Sequence, residues 1–160
     1  MTKADFIAAI APAAHASMLV TGIPASFTLA QAALESGWGT SKPYAMACNL
    51  FNIKADPSWH GPVYQMASTE HIAGKDVVQP ANWRMYPNWQ ACIDDRAKFF
   101  AENHRYDNCR HLVGGEAWAR TIAADHYATD PFYADKLLAV IRSNNLTHFD
   151  SLGAAERPAI

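Results

Sequence analysis

Glu35 occupies a position in the sequence that disfavours a charged carboxylate. Pro24 fits the first turn of a helix, and Gly37 and Gly39 are typical of a helix end, so Glu35 falls in the last turn. The apolar residues between them recur at helical spacing: Phe27, Ala30 and Leu34. The negative end of the helix dipole disfavours a carboxylate there, and Trp38 can remove water from the same group. Both effects raise a carboxyl pKa, which is what a general acid at neutral pH requires.

A second carboxyl group is the usual companion of such an acid in glycoside hydrolysis. One carboxyl is protonated, and the other is ionised and acts as a base, a nucleophile or a stabiliser of the cation. Among the 15 acidic residues of the chain, Glu70 lies near the end of a predicted strand. It suits this role if the strand belongs to a hairpin that folds over the end of the Glu35 helix. The alternative is a solvated carboxylate on an exposed strand, and the spacing is compatible with both.

The elements that must position these residues are helices around one small hairpin. Periodicity and end signals predict helices over 3–20, 24–35, 89–100 and 116–126. A last helix is predicted to begin with Asp130 as its cap and Pro131 in its first turn. Two strands are predicted on either side of a turn at Gly74-Lys75-Asp76: 63–72 and 77–86. The intervening residues 40–62 are predicted to form a long loop with one short strand after Leu50.

Length and element order predict one α+β domain that is predominantly α-helical. The chain has 160 residues, which is enough for a sizeable core. We expect the domain to cover residues 1–149 and a polar tail to cover residues 150–160. We expect the chain to be a monomer.

Composition excludes several classes of function. The formal net charge is −2 and no cluster of Lys or Arg is present, so there is no electrostatic basis for binding nucleic acid. The seven His and three Cys show none of the spacings of a metal site, and we expect neither a metal nor a cofactor. Cys48, Cys92 and Cys109 are interpreted as small buried apolar residues of a reducing compartment, with one disulfide as the alternative.

No stretch of the sequence is interpreted as a membrane span, because none approaches about 20 consecutive apolar residues. The N-terminus loosely imitates a signal peptide, with Lys3, an apolar run and Ala14-His15-Ala16. Asp5 and Pro12 argue against that interpretation, since they interrupt the charged and apolar regions. We therefore expect synthesis in the cytoplasm without a leader, and no stable membrane insertion.

Five motifs of this chain occur in the order seen in one enzyme family: Ala32-Ala33-Leu34-Glu35-Ser36-Gly37-Trp38-Gly39, Asn49-Leu50-Phe51-Asn52-Ile53-Lys54, Thr69-Glu70-His71, Trp83-Arg84-Met85-Tyr86 and Tyr127-Ala128-Thr129-Asp130-Pro131. The chain resembles glycoside hydrolase family 73, the peptidoglycan N-acetylglucosaminidases that include flagellar rod-associated hydrolases, autolysins and phage endolysins. The resemblance extends from about residue 4 to residue 144. Two departures are His71, where the family often has Tyr, and Trp83, where it often has Phe.

The resemblance implies a lysozyme-like fold with a helical lobe, a small β-hairpin lobe and a glycan groove between them. Carried over by position, Glu35 matches the general acid, Glu70 the second carboxylate on the hairpin, and Tyr127 a tyrosine near the acid. Four further residues are assigned to the substrate-binding groove: Trp38, Tyr44, Asn49 and Phe51. Packing is the alternative for the aromatic residues among these, with Trp38 under Glu35 and Tyr44 and Phe51 in the core or groove wall.

The implied activity is hydrolysis of the β-1,4 bond between N-acetylglucosamine and N-acetylmuramic acid, with peptidoglycan strands as the partner. Muramidase or lytic transglycosylase activity on the same fold is one alternative, and a non-catalytic glycan-binding module is another. A short wall hydrolase without a leader resembles an endolysin, which acts on the wall after its release from the cytoplasm. An excised domain of a larger bacterial hydrolase would look the same.

Overall fold

The computed structural model describes residues 1–151, apart from the side chains of residues 70–72. Residues 152–160, most of the predicted tail, lie outside the described part. Within residues 1–151, six α-helices and one antiparallel pair of strands occur in chain order: α1 Lys3–Thr21, α2 Ala25–Glu35, α3 Lys42–Ala47, β1 Val63–Ile72, β2 Lys75–Arg84, α4 Trp89–Glu102, α5 Gly115–Ala124 and α6 Tyr133–Ser143. Two 3₁₀ helices, His104–His111 and Leu146–Asp150, follow α4 and α6. The predicted α+β fold, mostly helical with a small hairpin, is confirmed.

Helix α2 lies at the centre of the molecule. Each residue from Ala25 to Ala33 is buried, and the helix packs against α1, α5, α6 and the second 3₁₀ helix. At its N-terminal end, the Asp150 carboxylate accepts hydrogen bonds from the Ser26 backbone N–H (2.8 Å) and hydroxyl (2.6 Å). The last two residues of the helix, Leu34 and Glu35, are partly exposed. The helix therefore leaves the core at the residue that the sequence singles out.

Helix α1 agrees closely with the prediction for residues 3–20. It begins at a capping box, in which the Thr2 hydroxyl accepts from the Asp5 N–H and the Asp5 carboxylate accepts from the Thr2 N–H. It ends at Gly22, whose φ of 75° is in the left-handed region that favours glycine. One face packs into the core: Phe6, Ile10, Ala11, Ala14 and Ser17.

The expectation that no segment approaches a membrane span needs a correction at α1. Lys3–Thr21 has 19 residues and a mean hydropathy of 1.4, so it is long and apolar enough to cross a membrane by length and composition. Only 28% of this apolar stretch is buried inside the structure. Core helices of soluble proteins and signal sequences can have the same length and hydropathy. The length and hydropathy of α1 are therefore weak evidence for a membrane role.

Strands β1 and β2 form a regular antiparallel hairpin from the pair Val63–Arg84 to the pair Ile72–Lys75. The turn is the two-residue segment Ala73-Gly74, with φ of 50° and 78°. Positive φ at both positions is the type I′ geometry that matches the right-handed twist of the strands. The turn predicted at Gly74-Lys75-Asp76 is therefore wrong, since the observed turn begins one residue earlier and Lys75 and Asp76 already belong to β2.

The predicted loop of residues 40–62 contains a helix that the sequence analysis missed. Helix α3 is capped by Ser41, whose hydroxyl accepts from the Tyr44 N–H (3.3 Å), and Pro43 lies in its first turn. Pro43 does not interrupt this helix, because proline is compatible with the first turn. The short strand predicted after Leu50 is reduced to a single bridge between Lys54 and Trp83.

Asn49 joins this loop to the hairpin. Its Nδ2 donates to the carbonyl oxygens of Ile53 and Arg84, both at 2.9 Å, and its Oδ1 accepts from the Ile53 N–H at 2.9 Å. The side chain is fully buried. Because buried backbone polar groups must be paired, this one amide fixes the loop against the end of β2.

The remaining helices follow the predicted order. Helix α4 begins at Asn88, whose Oδ1 accepts from the Ala91 N–H at 2.9 Å. Asp130 accepts from the Phe132 N–H at 2.9 Å, and α6 begins only at Tyr133. Asp130-Pro131 therefore forms a turn before the last helix rather than its first residues. The three cysteines are free thiols, with Cys92 and Cys109 buried and Cys48 half-buried.

Asn49→Ala is expected to lower the free energy of unfolding by about 3 kcal/mol, because it removes three hydrogen bonds from a fully buried side chain to the backbone. Of the three backbone groups, the Ile53 carbonyl oxygen keeps its bond from the Arg84 N–H at 3.0 Å. Asn82→Ala is the matched control, since Asn82 is exposed and its side chain makes one 3.3 Å bond with Gln65. The control should change stability by less than about 0.5 kcal/mol. Urea denaturation of both variants measures the difference, and equal effects would contradict the role of Asn49.

Candidate active site

The carboxyl group of Glu35 lies where α2 leaves the core. No basic residue occupies the last turn of the helix, and the Asn52 side-chain amide donates to the backbone carbonyl oxygen of Glu35. Burial raises the pKa of the Glu35 carboxyl above its usual value, and a hydrogen bond from Tyr133 partly opposes that rise. A carboxyl held in this way carries its proton at a higher pH than a solvated one.

The contribution of Trp38 to the raised pKa of Glu35 stays a prediction, because the described contacts of its ring are with α1. Its backbone has a φ of 57°, and its ring packs edge-on against Phe6 at a centroid distance of 5.8 Å. The Lys3 ammonium lies 4.9 Å from the centre of the same ring. Trp38 is half-buried, and its described contacts are with α1. Burial is the leading cause of the Glu35 shift.

Tyr133, the first residue of α6, is in direct contact with the acid, and the sequence analysis did not single it out. Its hydroxyl donates to Glu35 Oε1 at 3.0 Å and accepts from Gln31 Nε2 at 2.9 Å. The residue is 4% exposed, and burial raises the pKa of its phenol far above the usual range. The YATDP motif gave an indirect indication, since it begins six residues before Tyr133.

Tyr127, the tyrosine assigned by resemblance, lies beside Tyr133. Their rings stack at a centroid distance of 5.7 Å and an angle of 20°, and Tyr127 also stacks on Phe100 at 5.8 Å. Burial raises the pKa of the Tyr127 phenol to about 12, and the charge of Glu35 contributes to that rise. The structure thus brings Tyr127 into the electrostatic environment of the acid while its ring packs in an aromatic cluster.

Glu70 lies on β1, where its backbone pairs with Val77 of β2. Its side chain is outside the described residues, so its role stays a prediction. The hairpin that carries it is fixed by Arg84 at the end of β2. The Arg84 guanidinium binds Asp95 of α4 at 2.8 Å and Asp56 of the preceding loop at 2.7 Å. These two ion pairs connect the hairpin to both the helical lobe and the loop.

Three of the four residues assigned to the groove are buried. Asn49 is fully buried, and Phe51 and Tyr44 are 4% and 7% exposed. Tyr44 stacks on Trp89 of α4 at 5.9 Å, and Phe51 lies under the Arg96 guanidinium at 4.3 Å. These contacts favour the packing alternative for Tyr44 and Phe51, and a structural role for Asn49.

A buried polar chain behind Glu35 was not anticipated from the sequence. Arg96 of α4 donates to Gln31 Oε1 and, at 2.6 Å, to Thr28 Oγ1. Gln31 then donates to Tyr133, which donates to Glu35. Two features indicated it. Gln31 lies one helical turn before Glu35, and Arg96 interrupts the apolar face of α4 formed by Cys92, Ile93, Ala97 and Phe100.

Other concave surfaces lie elsewhere. One cavity of about 610 Å³ borders α1 and the second 3₁₀ helix, and another of about 460 Å³ lies near Trp118; Glu35 lines neither. Within the described residues, no three His, Cys, Asp or Glu side chains converge as a metal site would require.

Comparison with known proteins identifies the family. Residues 11–146 match the glucosaminidase family, described as mannosyl-glycoprotein endo-beta-N-acetylglucosaminidase. The chain is 38% identical over 140 residues to the peptidoglycan hydrolase FlgJ of Vibrio parahaemolyticus, covering 85% of this chain and 46% of that protein. It is 33% identical over 132 residues to the exo-glucosaminidase LytG of Bacillus subtilis, covering 79% and 46%.

A solved structure agrees with these sequence matches. The catalytic domain of the autolysin Auto from Listeria monocytogenes superposes with a TM-score of 0.82 at 30% identity, covering 92% of this chain and 87% of that domain. The chain spans about half the length of the curated relatives it matches. The family match covers most of the chain, and the chain belongs to the glucosaminidase family, glycoside hydrolase family 73.

Proposed function

We propose that this chain hydrolyses peptidoglycan by cleaving the β-1,4 bond between N-acetylglucosamine and N-acetylmuramic acid, as an endo-β-N-acetylglucosaminidase acting on the bacterial cell wall. The observation that carries the proposal is the Glu35 carboxyl, which is mostly buried, has a raised pKa and is held by Tyr133. The names of the relatives, peptidoglycan hydrolase and exo-glucosaminidase, support the substrate and the choice of bond.

In this proposal Glu35 acts as the general acid. It protonates the glycosidic oxygen while the C–O bond breaks, so the leaving sugar departs as an alcohol and the other sugar acquires oxocarbenium character. The hydrogen bond from Tyr133 then stabilises the carboxylate that forms. Tyr127, with its ring packed beside Tyr133, is proposed to present its hydroxyl to the substrate.

Glu70 is proposed to assist the second half of the reaction. It either activates the water that attacks the anomeric carbon or orients the acetamido group of the substrate, which then attacks in its place. The anchoring of the hairpin by Arg84 supports a defined position for β1, because it ties the end of β2 to α4. The two routes predict different consequences of removing the carboxylate.

The products of cell-wall digestion test the proposed bond. Mass spectrometry should find N-acetylglucosamine at new reducing ends, and oligosaccharides rather than only single sugars if the cleavage is internal. Reducing-end muramic acid would indicate a muramidase, and anhydro-muramic acid a lytic transglycosylase. Glu35→Gln, measured in parallel, should lower the rate at least about 100-fold, because general acid catalysis commonly contributes that much.

The control for this variant is Glu102→Gln, since Glu102 is an exposed carboxylate paired with Lys98 at 3.7 Å. It should digest the wall at the wild-type rate. Lysis by Glu35→Gln at the wild-type rate would refute the acid role. Pelleting with cell wall without any release of fragments by the wild-type chain would support a glycan-binding module instead.

Glu70→Gln separates the two roles proposed for that residue. If Glu70 activates water, the rate should fall about 100-fold or more, as for loss of a general base. If the acetamido group attacks, the loss should be smaller, because the substrate supplies the nucleophile. Steady-state kinetics on purified glycan strands give the values, and full activity would remove Glu70 from the mechanism.

Glu35→Gln should also make the folded protein more stable at neutral pH. The folded-state pKa of Glu35 is raised above its unfolded value of 4.5, so the folded chain binds this proton more tightly than the unfolded chain does. Stability therefore falls as the pH rises from about 4.5 through the folded pKa. Glutamine escapes this cost. The Tm of Glu35→Gln should exceed that of wild type at pH 7, and the difference should vanish near pH 4.

A further inference from the structure

Arg96 is a buried cation whose retention requires an explanation. It is 1% exposed, its guanidinium lies 5.2 Å and 5.4 Å from the rings of Phe27 and Phe100, and burial lowers its pKa to about 10. Within residues 1–151 no carboxylate pairs with it, and its Nε–H lacks a hydrogen-bond partner. A buried charge without a counter-ion destabilises a fold. The neutral side chains that accept its hydrogen bonds, Gln31 and Thr28, therefore indicate what Arg96 does in this fold.

The donor-only chemistry of arginine decides the orientation of Gln31. A guanidinium has five N–H donors and no acceptor, so the Gln31 atom that faces Arg96 must be the carbonyl oxygen. The amide nitrogen then necessarily points at the Tyr133 hydroxyl. Because an amide N–H₂ only donates, it occupies a lone pair of that hydroxyl and cannot receive its proton.

The same logic fixes the proton of Tyr133. Among the described residues, its hydroxyl has two polar neighbours within hydrogen-bond distance, Gln31 Nε2 and Glu35 Oε1. With the nitrogen a donor, Glu35 Oε1 is the acceptor that remains. When Glu35 is protonated, its carbonyl oxygen is the better acceptor of the two. Donation from Tyr133 to Oε1 therefore favours the carbonyl at Oε1 and the acid proton on Oε2.

We propose that Arg96 and Gln31 are positioning residues that fix Tyr133 as a hydrogen-bond donor to Oε1 of Glu35 and thereby place the acid proton on Oε2. This assignment deepens the proposed function and depends on Glu35 being its acid. Thr28 completes the arrangement, because its hydroxyl holds the second Nη of Arg96 at 2.6 Å. Thr28, Gln31 and Glu35 follow one face of α2 toward its C-terminal end.

The groups that act on Glu35 from neighbouring elements are few. Tyr133 of α6 and Tyr127 of the preceding turn interact with its charge, and Arg96 of α4 lies behind both. Asp150 of the second 3₁₀ helix binds the opposite end of α2 at Ser26, and the Glu70 side chain is outside the described residues. Gln31 also hydrogen-bonds Tyr127, which opposes the rise in the pKa of that phenol. A change at Gln31 can therefore reach Glu35 through Tyr133, through Tyr127 or by direct charge, and an experiment must separate the first route from the other two.

The experiment measures the Glu35 pKa by ¹³C NMR of its side-chain carboxyl, in protein labelled at Glu. Gln31→Glu replaces the donor by an acceptor of the same shape, which draws the Tyr133 proton away from Glu35. The pKa of Glu35 should rise by about one unit, as expected for loss of one hydrogen bond to a charged group. In the Tyr133→Phe background, the same substitution should produce almost no further shift.

Gln31→Met provides the same cycle if Gln31→Glu does not fold, because it removes both hydrogen bonds at similar volume. Arg96→Met should also raise the Glu35 pKa, and Arg96→Lys should recover part of the shift by restoring the charge. Arg142→Met is the matched control, since Arg142 is exposed and pairs with Glu116, and it should leave that pKa unchanged.

Equal shifts at Gln31 with and without Tyr133 would overturn the proposal, because the effect would then bypass Tyr133 and act through Tyr127 or by direct charge. No shift in Gln31→Glu would overturn it as well. The NMR titration does not depend on catalysis, so it separates this proposal from the proposed function, which the digestion products test. In kinetics, the basic limb of the kcat/KM profile should move upward with the Glu35 pKa.

Discussion

The burial of α2 is the constraint on which the rest of the structure depends. Each residue from Ala25 to Ala33 is enclosed by other elements, so α2 meets solvent only near its end. Glu35 is the last residue of the helix, and its carboxyl is therefore held by a rigid element yet remains partly accessible. Sites built on buried helices keep their geometry better than sites on loops. Helices α1, α5 and α6 all contribute to this enclosure.

The acid is placed where stability alone would not put a carboxylate. Burial and the end of the helix both disfavour its charge, and a hydrogen bond from Tyr133 limits the resulting rise in pKa. Arg96 also lowers the stability of the fold, since its buried charge has no carboxylate partner among the described residues. Such local conflicts with stability tend to occur at functional sites, where the remainder of the fold offsets them.

The two lobes are joined by a small number of buried or half-buried polar side chains. Asn49 ties the loop to the end of β2 through three hydrogen bonds, and Arg84 ties the same strand end to α4 through Asp95. Asn52 reaches across to the carbonyl of Glu35 itself. The asparagines of the NLFNIK motif therefore act on backbone groups, and this explains their place in the motif without a substrate contact.

The sequence by itself determined the helices, the hairpin and the importance of Glu35. Helical periodicity, capping residues and glycines act over a few positions, so α1, α2 and the Asn88 cap of α4 could be predicted from local patterns. The position of the hairpin turn depends on the positive φ of Ala73 and Gly74, and residue types alone do not fix those angles. Helix α3 was missed because a proline in a first turn and a proline in a loop look the same in the sequence. Only the tertiary structure decided that Tyr133, 98 residues from Glu35, donates to it, and that Arg96 stands behind Gln31. Contacts between distant segments follow from how helices pack, and that packing has no local sequence pattern.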